Sequence, residues 1–495
     1  MTHAQPLERA ERFSLDRLGS ITWWQTGETT SADELRAGAA RTAALMRQHG
    51  VGRGATVLIV HDAGPRFFAD LFGVWNTGAS AACLNPNLAA DELRNITRWV
   101  KPAALLATAN TRIPEGLDVP VLDTEAGAAE APEPGPGGEG DDPALILFTS
   151  GTTGTPKGVV LSFRALTARI ALNQDHIPRA AMRRTLCVLP THFGHGLIGN
   201  CLTPLLAGHD LMIAPGTNLE VTGNLGRLID DERITFMSSV PALWRRVLPV
   251  AEPPHGGTLE RVHVGSAPLS AELWKRIMAW ASTRDVVNMY GITEAANWIG
   301  GASAADGEPK DGFIGRAWGG AMAVRTAAGE VVRQGSGELL VRSPSLFKEY
   351  HRMPDATAAA FQDGWFRTGD SGRIEADGSA FLTGRIKSEI NRGGLKVHPE
   401  DIDLLLERHP AVREACAFAI PDPVEGETIG MAVSLMDGTR VDARALRRWC
   451  AERLAIEKVP VKWFRIETIP RTDRGKLNRD AVARQCLARA AAKGR

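Results

Sequence analysis

Residues 147–162 read LFTSGTTGTPKGVVLS: an apolar run, a loop of Gly, Ser and Thr, and one lysine. Such a loop gathers backbone N–H groups and hydroxyls at one place, and its small residues let a ligand come close to the backbone. That concavity suits a phosphate, to which Lys157 adds a full positive charge. The Walker A pattern needs its lysine between Gly and Ser/Thr. Here Lys157 follows Pro156 and precedes Gly158, which sets the loop apart from standard P-loop nucleotidases. Further chemistry-bearing residues stand far downstream, in YGITEA (290–295), GWFRTGD (364–370), GRIKSEINRGGLKVHPEDI (384–402) and PRTDRGKLNR (470–479). Read singly, these are ordinary: Thr293 and Glu294 a helix cap, Asp370 a turn residue, Lys476 a solvated lysine.

Elements must bring these stretches together. From about residue 31 to 295, strand-length apolar runs alternate with amphipathic stretches. The runs are ATVLIVH (55–61), ALLAT (104–108), ALILF (144–148), TLCVLP (185–190), DLMIAP (210–215), ITFMSSV (234–240), RVHVG (261–265) and VVNMYG (286–291). The alternation predicts α/β layers with largely parallel sheets. A capping box, Ser31 with Glu34, opens a helix that ends before Gly50, and SAELWKRIMAWA predicts another. Residues 125–142 are rich in Pro, Gly and acid and read as a surface loop. From about 313 to 385, short alternating runs with Asp-Gly turns predict the hairpins of a smaller β-rich unit. Beyond Arg385, two helical and two strand-like runs predict a compact α+β domain.

Bulk properties narrow the function. A chain of 495 residues exceeds one core, so several domains are expected. Basic and acidic residues balance at 57 each, which disfavours a nucleic-acid partner. No apolar leader opens the chain and no long apolar run follows, so the expectation is a cytoplasmic protein with no membrane partner. Six scattered cysteines without a CxxC pair predict neither a zinc site nor disulfides, and fit a reducing compartment.

In this order, the quoted stretches resemble the motifs of the adenylate-forming superfamily: AMP-dependent acyl-CoA synthetases, peptide-synthetase adenylation domains and luciferases. The resemblance runs over nearly the whole chain. It implies a multidomain α/β fold: a large N-terminal region (1–384, adenylation) of two α/β layered subdomains plus a β-rich unit, and a small mobile α+β C-terminal domain (385–495). It implies an AMP-forming ligase that uses ATP and Mg²⁺ to make an acyl-AMP and pyrophosphate, then passes the acyl group to an acceptor. By the same matching, Thr149, Ser150, Gly151, Thr152, Thr153, Gly154 and Lys157 grip the β- and γ-phosphates. Tyr290 lies against adenine, Thr293 bonds the α-phosphate, Glu294 holds Mg²⁺, and Asp370 takes the ribose hydroxyls with Arg385 nearby. Lys476 bridges the carboxylate and the α-phosphate. Lys387 is the hinge, and Gly393 and Gly394 let an extended acceptor arm pass.

The resemblance places the acid pocket behind residues 189–197 and 264–269, with candidate walls Phe193, His195, Val240, Gly265, Ala267, Asn297 and Trp298, and His192 as gate. Trp298 and Phe193 suggest an apolar, ring-shaped acid. No aspartate matches the amino-group anchor of amino-acid-activating members, and no carrier domain is attached. CoA is the expected acceptor. The alternative is an amine, as in coronafacate ligase-like amide bond synthetases, favoured by the compact length and by NWIGG after the TEA triplet. A non-catalytic nucleotide sensor on the same fold is disfavoured by Lys157, Glu294, Asp370 and Lys476 being present.

Overall fold

The computed structural model describes residues 13–61, 64–108, 111–123, 137–149, 157–215, 218–393, 395–472 and 475–493. The expected residues Ser150, Gly151, Thr152, Thr153, Gly154 and Gly394 lie outside this set.

All eight strand-length runs form strands, because each is a short apolar segment that can bury both faces between helices. They divide between two sheets. Among the described residues the first has seven strands, with Thr56–Ile59 between Ser80–Cys83 and Ala104–Ala107 in a parallel centre. At one side Pro143–Thr149 pairs antiparallel with Lys157–Ser162, and Thr149 stands opposite Lys157. Lys157 therefore opens a strand, not a helix as the lysine of a P-loop does. The predicted helix is Ala32–Gln48. Ser31 accepts from the Glu34 N–H while the Glu34 carboxylate accepts from the Ser31 N–H, closing the capping box.

The second sheet has a parallel centre containing Arg184–Cys187, Phe236–Ser239, Arg261–Val264 and Val286–Gly291. The β-rich segment does form antiparallel hairpins, but not as a separate sheet. Trp298–Ser303 pairs with Phe313–Ala317, and that strand pairs with Ala380–Arg385, giving one fifteen-stranded sheet among the described residues.

Strands from Ile390–Arg392 to Lys462–Arg465 build a third sheet, five-stranded among the described residues, around the long hairpin of Val412–Asp422 and Gly426–Leu435. It is packed with Pro399–Leu406, Ala443–Ala451 and Arg479–Lys493 over its own apolar clusters, centred on Ile402, Met431 and Leu446 and on Phe418 and Val482. No helix among the described residues is long and apolar enough to cross a membrane.

Candidate active site

A cavity of ≈ 320 Å³ opens between residues of the first two sheets and the C-terminal region. Thr149 reaches it from the first sheet, and Thr293, Glu294 and Arg385 from the second. Gly475 and Lys476 reach it from the C-terminal region. The sequence spreads these residues over most of its length; the fold gathers them on one wall.

Glu294 sits in a 3-10 turn, Thr293–Ala295, that follows a register shift at Tyr290/Gly291. Such irregularities re-aim side chains at the edge of a site. The turn is clamped from below. The Phe347 N–H donates to the Glu294 carbonyl at 2.6 Å, and Ser345 Oγ donates to the Ala295 carbonyl at 3.1 Å. Ser345 is itself held by Arg169, which is fully buried, donates also to Ser343 and to the Trp318 carbonyl, and has no carboxylate partner among the described residues. Burial pulls its guanidinium down to about 9.

Tyr350, itself outside the cavity lining like Lys157, donates to Glu294 Oε1 at 2.8 Å, and Lys157 Nζ stands 4.5 Å from the centre of the same tyrosine ring. Tyr350 thus couples the phosphate-loop lysine to the candidate metal carboxylate. No cation pairs with Glu294 among the described residues, and no group of three or more His, Cys, Asp or Glu there could cage a metal. One hard carboxylate beside a phosphate site fits Mg²⁺, which takes one or two carboxylates plus phosphate oxygens and water.

Asp370 and Arg385 are opposite each other in neighbouring antiparallel strands, so the register itself makes their contact: Arg385 Nε to Asp370 Oδ1, 2.8 Å. The other oxygen accepts from Tyr290 Oη at 2.6 Å. Asp370 is 2% exposed, and burial raises its pKa against the pull of Arg385, Tyr290 and Lys476. Burial and then Asp370 push the Tyr290 hydroxyl well above its ordinary value, so it remains a donor. Lys476 arrives on a turn in which the Gly475 N–H donates to the Thr472 carbonyl and the Thr472 N–H to the Lys476 carbonyl. Gly475 has φ +73°, a conformation that favours glycine.

The opposite wall is the recess expected for the acid. Phe193, His195, Val240, Asn297 and Trp298 line it; His192, Gly265 and Ala267 do not. His192 packs its ring against Phe193, with ring centres 4.1 Å apart. Gly265 donates its N–H to the Ser239 carbonyl, and Ser266 occupies the lining position instead. His195 begins a π-helical segment, His195–Leu202, a geometry frequent at functional sites. Its imidazole is fixed between Ser266 Oγ at Nδ1 and Ser238 Oγ at Nε2, both 2.7 Å. Burial, and then Lys476, push its pKa down to about 3, so it is neutral.

Lys387 lies in the 3-10 turn Ile386–Ser388, directly after the strand that carries Arg385 and outside the cavity lining. Gly393 has φ +58°. The C-terminal region is tied to the rest by an Arg245–Glu407 ion pair at 2.6 Å and by Arg408 with Asp311.

Sequence reasoning missed Tyr350, Arg169, Ser238 and Ser266. The signal for Tyr350 was compositional: the chain has two tyrosines, and both hydroxyls bond carboxylates of this site. Arg169 carried no signal, since an arginine in a helix reads as surface.

Comparison with known proteins agrees with this geometry. The AMP-binding enzyme family matches residues 8–351, and the AMP-binding enzyme C-terminal domain matches residues 401–476. A sulfoacetate–CoA ligase of Cupriavidus necator is 32% identical over 456 residues, covering 87% of each chain. The ATP-bound structure of MatB from Rhodopseudomonas palustris superposes with a TM-score of 0.84 at 25% identity, over 97% of this chain and 96% of that one. The amide bond synthetase McbA from Marinactinospora thermotolerans does so with 0.85 at 25% identity, over 95% and 98%.

Proposed function

The chain belongs to the AMP-binding enzyme family, and on that premise we propose that it is an ATP-dependent carboxylic acid ligase of the AMP-forming type. It activates an acid as acyl-AMP with release of pyrophosphate, then transfers the acyl group to CoA. The observation that carries this is the single cavity that sets Thr293, Glu294, Arg385 and Lys476 against an apolar recess.

The demand of the first step is electrostatic: two anions must meet while charge builds at the α-phosphate. Lys157, with Thr149 and the loop 150–154, holds the β- and γ-phosphates. Thr293 would bond the α-phosphate, and Glu294 would hold a Mg²⁺ that would supply charge neutralisation there. Tyr290 and Asp370, locked to each other and to Arg385, form the adenosine side. Lys476 bridges the attacking carboxylate and the α-phosphate. The recess of Phe193, His195, Val240, Asn297 and Trp298 takes the acyl group, with Gly265 and Ala267 beside Ser266 and His192 packed against Phe193.

We place the domain boundary at 384/385 with Lys387 as hinge. Support comes from the turn Ile386–Ser388 and from the separate apolar clusters on its two sides. Rotation there withdraws Lys476 and brings Gly393 and Gly394 to the acceptor arm. The cell compartment we infer is the cytoplasm.

The test supplies acid, ATP and Mg²⁺, measures pyrophosphate, and then adds CoA. Thioester in the mass spectrum is the expected result. Failure to release pyrophosphate or exchange it into ATP across aryl, alicyclic and fatty acids sinks the proposal. The likeness to McbA supports a second reading in which an amine is the acceptor. Amide formation with no thioester from the same activated acid would select it.

A further inference from the structure

A chain of three hydrogen-bonding side chains runs from inside the second sheet to the acid recess: Ser238, His195 and Ser266. Ser238 is fully buried and outside the cavity lining, whereas His195 and Ser266 both line the cavity. Ser238 Oγ stands 2.7 Å from His195 Nε2, and Ser266 Oγ stands 2.7 Å from His195 Nδ1.

Burial decides which way the protons run. It holds His195 neutral, so the ring has one N–H and one lone pair. His195 is the one hydrogen-bond partner of the Ser238 hydroxyl among the described residues. With the proton on Nε2, Ser238 would accept it, and its own O–H would be buried with nothing to donate to, which is costly. With the proton on Nδ1, Ser238 donates to the Nε2 lone pair and every buried group is paired. Ser266 then accepts from Nδ1–H. Its own proton is turned away from the ring, and Ser266 is only half-buried. A hydroxyl proton is thereby left over on a residue that lines the recess.

The backbone is bent to put that hydroxyl there. Ser266 has φ +66°, a conformation that glycine adopts freely and that costs a residue with a side chain energy. The chain carries that cost and keeps a serine. Its neighbour Gly265 lets the His195 ring lie close: a Cβ there would stand 3.6 Å from His195 Cε1 and 3.0 Å from the Met289 carbonyl oxygen. The other face of the problem is the wall. Val188, Phe193, Val240 and Leu243 have no polar side-chain atom to offer a ligand.

We propose that Ser266 is the polar specificity determinant of the recess: its O–H, aimed by Ser238 through His195, donates to an oxygen or nitrogen acceptor borne by the acyl group. Ser266 touches the acid, and Ser238 is a positioning residue. The proposal rests on the acid-activating reading above and goes further in naming the side chain that selects among acids.

Two measurements test it. The first reads the proton itself, by ¹⁵N NMR of histidine-labelled protein with His195→Asn to identify the signal. A neutral ring with the proton on Nδ1 is expected. Ser238→Ala should move the proton at least in part to Nε2, since Ser266 can then donate to Nδ1. A proton on Nε2 in the unaltered protein overturns the proposal. The second is pyrophosphate release with matched acids: methoxyacetate against butanoate, nicotinate against benzoate, and meta-methoxybenzoate against meta-ethylbenzoate. In at least one pair the acceptor-bearing acid should have a kcat/KM higher by about tenfold or more. Ser266→Gly removes the hydroxyl at a backbone that favours glycine, so the fold is kept, and it should bring that ratio toward unity. Ser238→Ala should lower the ratio too, whereas a merely structural loss would slow both acids alike. Equal kcat/KM within every pair, or a preference that survives Ser266→Gly, overturns the proposal. An unchanged ratio and proton position in Ser238→Ala overturn the role of Ser238. No release with any acid removes the acid-activating reading itself, and a proton found on Nδ1 in that case tells this failure from a failure of the hydrogen-bonded chain.

Discussion

Tyr350→Phe is the sharpest probe of the site, because it deletes one atom whose bond is known. The lost bond runs to Glu294 Oε1 at 2.8 Å from a tyrosine that is 6% exposed. Hydrogen bonds to charged groups contribute about 1.5–3 kcal/mol, so adenylation should slow by roughly ten- to 150-fold in kcat/KM for Mg²⁺-ATP. The ring remains, and with it the contact to Lys157 Nζ at 4.5 Å. Tyr350→Leu removes that as well and should cost a further ~0.5–2 kcal/mol. Transfer from pre-made acyl-AMP, which needs neither Glu294 nor Lys157, should be spared. Burial and then Glu294 push the Tyr350 hydroxyl well above its ordinary value. It therefore stays protonated at neutral and mildly alkaline pH, and the pH profiles of wild type and variant should have the same shape. The assay is pyrophosphate release at varied Mg²⁺, with a Glu294→Ala, Tyr350→Phe double variant completing the cycle. If Tyr350 acts through Glu294, the double variant is no worse than Glu294→Ala. Fully additive losses, or an unchanged dependence on Mg²⁺, would refute the reasoning.

Lys476→Ala should abolish acyl-AMP formation yet leave transfer from pre-made acyl-AMP intact; pyrophosphate release near the wild-type rate would sink the assignment. His195 titrates at about 3 in the folded protein against about 6.5 unfolded. Between these values the unfolded chain binds the proton and the folded one does not. Its stabilising contribution is therefore present above about pH 6.5 and is lost as pH falls toward 3. His195→Asn should flatten that part of the melting-temperature profile, and an unchanged profile would contradict it. Arg479 holds Asp403 at 2.7 Å and Glu400 at 3.0 Å, three residues beyond Lys476 in the chain. Arg479→Met strands buried carboxylates and should destabilise the C-terminal region by about 3–5 kcal/mol in urea unfolding. A loss below ~1 kcal/mol would show that this cluster is solvated.

Local signals carried the strands, the capping box and the C-terminal helices, since each rests on residues near in sequence: an apolar run, a Ser with its Glu, a Pro or Gly beyond. The joining of the β-rich segment to the second sheet depends on pairs such as Gly300 with Ala317 and Phe313 with Phe381, and strand edges carry no label for the edge they meet. The π-helical segment was equally hidden, because HGLIGNCL is apolar and glycine-rich at any helical period. For the site, motif order supplied Thr293, Glu294, Arg385 and Lys476, which share the cavity. It did not supply which residue of a motif lines the recess: Phe193 and Ser266 do, whereas His192, Gly265 and Ala267, close by in sequence, do not.

The chain spends its two tyrosines on Asp370 and Glu294, and the chemistry explains the choice. A neutral hydroxyl orients a carboxylate without cancelling its charge, which a lysine or arginine would do. Burial raises the pKa of both phenols, so the donors persist at working pH. The two carboxylates then differ in what else they receive. Asp370 is nearly inaccessible, burial raises its pKa and Arg385 opposes that rise, and in the reading proposed above it takes the ribose hydroxyls. Glu294 is only half-buried and has no ion-pair partner among the described residues, Arg385 acting on it at longer range, and in the reading proposed above its charge is kept for a metal beside phosphate. Supplying Glu294 with a fixed cation, by Tyr350→Lys, should therefore remove the requirement it serves: Mg²⁺-dependent pyrophosphate release should fall below that of Tyr350→Phe. Equal rates for the two variants would show that the charge on Glu294 is not what the site uses.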